Sequence, residues 1–157
     1  MSERKLLVIA DDSPEFQAAL RFACRRVCNV GGHIALMRVI EPPVYEHWSG
    51  AREEIERQAR QEAEAVLQKT AEFVIAETGH PPEFIIKHAG DTRAALRQVI
   101  AEQPEISLLV LAAAVGARGP GPLVSSIARD GVTSGARKVP VTVVPGDLSD
   151  EAIADLA

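Results

Sequence analysis

Leu6-Leu7-Val8-Ile9-Ala10-Asp11-Asp12-Ser13-Pro14-Glu15-Phe16 runs from an apolar strand through two carboxylates straight into a helix start. The aliphatic part has no polar alternation, as expected of a strand covered on both faces in a parallel sheet. Ser13 reads as the N-cap of the helix and Pro14 as its first residue, where a missing N–H costs nothing. The end of this strand is therefore the candidate site. Its paired acids fit three descriptions: solvated turn residues, a metal site, or an adenosine site where strand order reverses in a sheet.

Outward from this opening, Phe16, Leu20, Ala23, Cys24 and Val27 form the apolar stripe of the first helix, and Gly31-Gly32 ends it. A second strand from Ile34 to Ile40 closes at Glu41-Pro42-Pro43. A long helix is predicted from about Ala51 to Thr78, with Ile55, Ala59, Ala63, Val66, Thr70 and Val74 on one face. On its outer face Glu53 with Arg57 and Glu56 with Arg60 stand one turn apart, each pair worth ~0.3 kcal/mol. Gly79 ends that helix and Pro81-Pro82 prevents its return. A third strand from Glu83 to His88, a helix from Thr92 to Glu102 capped by Gly90-Asp91, and a fourth strand from Ser107 to Ala112 follow. The loop Gly116-Ala117-Arg118-Gly119-Pro120-Gly121-Pro122 leads to a last helix and the strand Pro140-Val141-Thr142-Val143-Val144. Strands alternating with helices imply right-handed crossovers and a mostly parallel sheet, an α/β fold.

The 157 residues suit one domain, residues 1–146, followed by a short acidic tail, residues 147–157, expected to be partly disordered. A net charge of −5 argues against a nucleic-acid or anionic-membrane surface. No apolar run approaches the ~20 residues that cross a bilayer, and no signal peptide precedes the first strand, so the expectation is a cytoplasmic protein. Cys24 and Cys28 lie one helical turn apart, but no second ligand pair follows at zinc spacing, and a disulfide within one helix is geometrically unfavourable. They read as structural thiols. His33, His80 and His88 match no ligand spacing, and no metal site is expected. Tyr45, His47 and Trp48 crowd one loop of a chain with only 4% aromatics; they would cover the site, meet a partner, or fold back on the sheet.

A receiver domain also starts with a strand ending in two acids. It requires a phosphorylatable Asp after the third strand and a Lys after the fifth, where this chain has Lys87-His88-Ala89 and Val144-Pro145-Gly146. The chemistry excludes it. Taken together, Leu7 to Glu15, Met37-Arg38-Val39-Ile40-Glu41-Pro42, Gly90-Asp91 and Pro140 to Val144 resemble, in order and spacing, the landmarks of the universal stress protein family, with Asp12 where that family usually has glycine. The resemblance covers Lys5 to Pro145 and implies a single-domain Rossmann-like fold of the adenine nucleotide alpha hydrolase-like type, a five-stranded parallel sheet flanked by helices.

ATP-binding members of that family wrap the phosphates with Gly-x-x-Gly, nine further residues, and Gly-Ser or Gly-Thr after the fourth strand, because glycine lets backbone N–H groups come close to phosphate. Aligned on Leu108-Leu109-Val110-Leu111, this chain has Ala112, Val115, Ser125 and Ser126 at those places, so only the last serine survives. A second register on Gly116 and Gly119 puts Arg129-Asp130 at the final position, where an aspartate repels phosphate. The resemblance places Asp11 near the adenosine and Val39 at a backbone contact to adenine, with Ala10, Leu111 and Ile127 lining the pocket or simply the core.

The expected function is a non-enzymatic stress-response module, with ATP binding weak or lost and a protein partner engaged under stress. The resemblance implies a homodimer paired through the fifth strand, where Val141, Val143 and Val144 offer an apolar edge. The alternative is a nucleotide switch or slow ATP hydrolase taking ATP with magnesium through Asp11, Ser125 and Ser126, although no general base or metal-ligand cluster supports hydrolysis. An adenylating enzyme would need a Ser-Gly-Gly-x-Asp-Ser loop that Ala10-Asp11-Asp12-Ser13 does not supply.

Overall fold

The computed structural model describes residues 3–42, 49–131, 133–134 and 137–157. In chain order the elements are β1 Lys5–Ile9, α1 Phe16–Val30, β2 His33–Ile40, α2 Ser49–Thr78, β3 Glu83–His88, α3 Thr92–Glu102, β4 Ile106–Ala113, α4 Pro122–Asp130, β5 Thr133–Ser134, β6 Arg137–Lys138, β7 Val141–Pro145 and α5 Asp150–Leu156. Five strands form one sheet in the order β3-β2-β1-β4-β7. All its pairings are parallel. β5 and β6 make a separate two-residue antiparallel pair. The fifth strand of the sequence reading is β7. Because β1 sits between β2 and β4, the chain reverses direction across the sheet there, and the carboxyl ends of β1 and β4 flank the crevice.

Successive residues of the central strands enter opposite cores, which explains their unbroken aliphatic runs. Leu6 and Val8 pack with Leu20 and Cys24 of α1 and Leu67 of α2. Leu7 and Met37 pack on the other face with Leu96 and Ile100 of α3 and Ile127 of α4. Each fully buried leucine contributes about 2 kcal/mol of transfer free energy. Among the described residues no helix is long and apolar enough to cross a membrane.

Several local expectations change. α1 starts at Phe16 with Glu15 at its N-cap, and no side chain caps it. Ser13 is committed elsewhere: its backbone N–H (3.0 Å) and its hydroxyl (2.5 Å) both donate to Asp11 Oδ1. That closes a side-chain-to-backbone turn of the kind that competes with helix capping. In α2 the buried positions are Ala63, Leu67, Ala71 and Val74, while Ile55 is 37% exposed. Ala59, Val66 and Thr70 are half-buried, so the expected face does turn inward, with burial reaching one residue further round to Leu67 and Ala71. Among the described residues Arg52 pairs with Glu56, Arg57 with Glu54 and Arg60 with Glu64, not in the expected combinations.

The acidic tail is also ordered: Asp150–Leu156 is a helix, Ser149 caps it by accepting from the Ala152 N–H at 3.1 Å, and Ile153 is buried. Arg21 of α1 binds Asp150 at 3.1 Å, and the Asn29 side-chain amide donates to the Ala157 carbonyl at 2.8 Å. Val144, expected at an open edge, is 1% exposed and packs in the core beneath α1. Strand alternation turns it away from Val143, which is 43% exposed. The loop carrying Tyr45, His47 and Trp48 lies outside the described residues.

Cys24 is buried, and Cys28 is exposed with its thiol donating to the Glu77 carbonyl at 3.3 Å. Burial first, then the charges of Glu77 and Cys28, push the Cys24 thiol from its ordinary 9.0 up to about 12. The unfolded chain therefore loses this proton before the folded one does. Stability is expected to fall as pH rises past 9.0 and to level near 12, at up to about 1.4 kcal/mol per pH unit. Urea unfolding of the wild type and Cys24→Ala across that range should show the difference between the two shrinking with the slope; parallel curves would mean the thiol does not titrate with folding.

Candidate functional site

The candidate site is assembled from the carboxyl ends of β1, β2 and β4 and from the start of α4. The pairing Val8↔Val110 brings the exits of β1 and β4 side by side. The Ala10 N–H donates to the Met37 carbonyl at 2.8 Å, which ties the β1 exit to β2 one residue past the last strand pair. Asp11 is exposed beyond this point, one carboxylate oxygen held by Ser13. Asp12 is neutralised by Arg38 of β2, whose guanidinium lies 3.0 Å from the carboxylate and donates to the Ala10 carbonyl at 3.2 Å. Arg38 was not singled out in the sequence, since a single arginine in an aliphatic strand gives no sign of which loop it will reach. With Asp12 paired, the exposed acid left to meet a ligand is Asp11.

The loop from β4 to α4 closes on itself. The Ala114 N–H donates to the Pro120 carbonyl at 3.1 Å and the Gly119 N–H to the Gly116 carbonyl at 3.2 Å. Gly116, Gly119 and Gly121 have φ of 135°, 82° and 107°, and a Cβ added at any of them would meet nothing within 4 Å. These glycines serve the backbone turn itself.

Ala10, Leu111 and Ile127 are buried in the core. Val39 is half-buried and packs with the α3-side core. Ala112 is half-buried at the β4 exit, and Val115 stands 62% exposed in the loop. Ser125 and Ser126 fall inside α4 rather than at its free end, and the Ser125 N–H is already bound to the Gly121 carbonyl at 3.0 Å. Among the described residues the amides left over at this helix start are those of Gly121, Leu123 and Val124, since Pro122 has none. In the second register Arg129 and Asp130 end the helix instead of beginning it.

Ser126 is engaged too. Arg93 of α3 donates to its hydroxyl at 3.0 Å and pairs with Asp130 at 3.1 Å. Among the described residues the Arg93 Nε is a buried donor without a partner. The same residues gather no cluster of three or more potential metal-ligating side chains.

The model of the universal stress protein family matches residues 3–145. The chain belongs to that family. Solved universal stress proteins superpose over nearly its whole length. UspA from Lactobacillus plantarum has 19% identity and a TM-score of 0.72, covering 92% of this chain and 99% of its own. The protein from Archaeoglobus fulgidus in complex with dAMP has 19% identity and a TM-score of 0.60, covering 92% and 99%. A family protein from Arabidopsis thaliana with AMP bound has 17% identity and a TM-score of 0.52, covering 90% and 91%. At such identities the likeness carries the fold. No curated protein sequence matches the chain. The five-stranded parallel sheet of the universal stress protein fold is thus present here in full.

Proposed function

We propose that this universal stress protein is a non-enzymatic stress-response module that dimerises through β7 and in which ATP binding is weak or lost. The observation that carries the reading is Val115. It presents an apolar side chain, 62% exposed, where the sequence alignment requires the second phosphate glycine. The residues present do not fit a triphosphate with its magnesium: Ala112 and Val115 add bulk, the Ser125 amide is spent within the helix, and the Ser126 hydroxyl accepts from Arg93. At the β7 edge, a cavity of about 520 Å³ is lined by Val124, Ile127, Val139, Val141 and Val143, among others, and supports an apolar pairing surface. Val144 has no part in it.

A second reading, an adenine-nucleotide switch or slow ATP hydrolase, is favoured by related structures described as holding dAMP, cAMP and AMP. The exposed Asp11 at the switch point is the residue it would use. Calorimetric titration of nucleotide-free protein with ATP and magnesium, and separately with AMP, decides between them. We expect no saturable heat for ATP, meaning a Kd weaker than about 1 mM. Saturable ATP binding that Asp11→Ala removes would overturn the proposal in favour of the switch.

A further inference from the structure

β3 is the edge of the sheet opposite β7. A cavity of about 590 Å³ runs along it, walled by Arg60, Glu64 and Gln68 of α2, by Glu102 of α3 and by Gln103 just after it. Beyond the strand end the Ala89 N–H turns inward to the Ile40 carbonyl at 3.1 Å. Strand alternation therefore points the backbone N–H and C=O of Phe84, Ile86 and His88 away from the sheet. Phe84 is 37% exposed, a large apolar side chain beside backbone that pairs with nothing among the described residues. An open edge of this kind is a template for another strand.

We propose that β3 is a second self-association edge, pairing antiparallel with β3 of another copy about a two-fold axis through Ile85. The chemistry of the strand is palindromic about that residue. In this register Glu83 stands opposite Lys87 of the second copy and Phe84 opposite Ile86, each pair occurring twice by symmetry. Face and backbone both agree. Glu83, Ile85 and Lys87 align with Ala35, Met37 and Val39, whose side chains serve the α3-side core, so the charged pairs meet on one face. Phe84 and Ile86 align with Leu36 and Arg38, and the apolar pairs meet on the other. Phe84 and Ile86 are also the residues with outward backbone, so they exchange both hydrogen bonds with their opposite numbers while Ile85 occupies the non-bonded position on the axis.

The charges already in place extend this pattern. Glu83 binds Lys5 at 2.6 Å and Lys87 binds Glu102 at 3.1 Å. Pairing would link them into an alternating row, Lys5, Glu83, Lys87 and Glu102, with the last two supplied by the second copy. This edge lies across the sheet from β7, and the inference does not rest on the β7 dimer.

Sedimentation velocity over a wide concentration range tests it, in a Val143→Lys background that puts a charge on the β7 edge, with circular dichroism and melting to confirm folding. We expect Val143→Lys to retain concentration-dependent dimers. Adding Lys87→Glu should weaken them about tenfold by setting like charges opposite each other. The swap Glu83→Lys with Lys87→Glu, made together with Lys5→Glu and Glu102→Lys so that each copy keeps its own ion pairs, should bring the affinity back to within about threefold. A folded Val143→Lys variant that is monomeric at every concentration overturns the inference and leaves this edge to an extended segment of a different protein. Indifference to Lys87→Glu, or a folded swap that does not recover, overturns it equally. Wild-type assembly that ignores Val143→Lys but follows the β3 variants would instead remove the β7 dimer and keep this one.

Discussion

Arg137→Met is expected to lower the unfolding free energy by about 3 kcal/mol. The Arg137 guanidinium, half-buried, donates to the carbonyls of Ile100, Gln103, Pro104 and Ile106, with the Gln103 and Pro104 contacts at 3.3 and 2.9 Å. These carbonyls include the last turn of α3, where the helix dipole is negative and no intrahelical donor remains. Methionine retains the apolar stem and removes the donors, leaving partly buried carbonyls unsatisfied. Urea denaturation should show a lower midpoint at unchanged slope. A change below about 0.5 kcal/mol would mean that water replaces the guanidinium at this helix end.

Gly146→Ala is expected to cost about 2 kcal/mol and to disturb the candidate site from behind. A Cβ at residue 146 would lie 2.5 Å from the Glu15 Cβ, 3.2 Å from its Cα and 3.1 Å from the Ala113 carbonyl oxygen. None of these is the end of a flexible side chain, so the backbone at the start of α1 must move. The Gly146 N–H also donates to that same Ala113 carbonyl at 2.9 Å, which binds the β7 exit to the β4 exit. Hydrogen exchange should quicken in the first turn of α1 and in the Asp11 turn as the melting temperature falls. Unchanged exchange there, with the melting temperature lowered, would place the strain elsewhere.

Both sites escape a reading of the chain because their partners lie far along it. Arg137 meets carbonyls more than thirty residues earlier, and nothing in Gly-Ala-Arg-Lys announces a helix cap. The same holds for Arg93, which reaches Ser126 across 33 positions, and for Arg38, which reaches Asp12 across 26. Their destinations depend on how α3 lies beside α4 and β2 beside β1. By contrast, Asp91 was legible as a cap because its partner is the Arg93 N–H two residues on, at 3.0 Å. Local competition was the harder case: Ser13 had a helix amide and Asp11 within reach, and Asp11 prevailed.

The sequence alone determined the alternation of strands and helices, the burial of the central strands on both faces, and the family, because these rest on periodicity, chain-local caps and motif order. Tertiary structure decided which side chains face the crevice, which enter the core and which are already spent on a neighbour. Val144 turned inward where an edge residue was expected, the tail folded once Ile153 found cover, and Ser126 found an arginine before any phosphate. Each outcome follows from the register and packing of distant segments, whose mutual geometry exists only once the sheet has closed around its two cores.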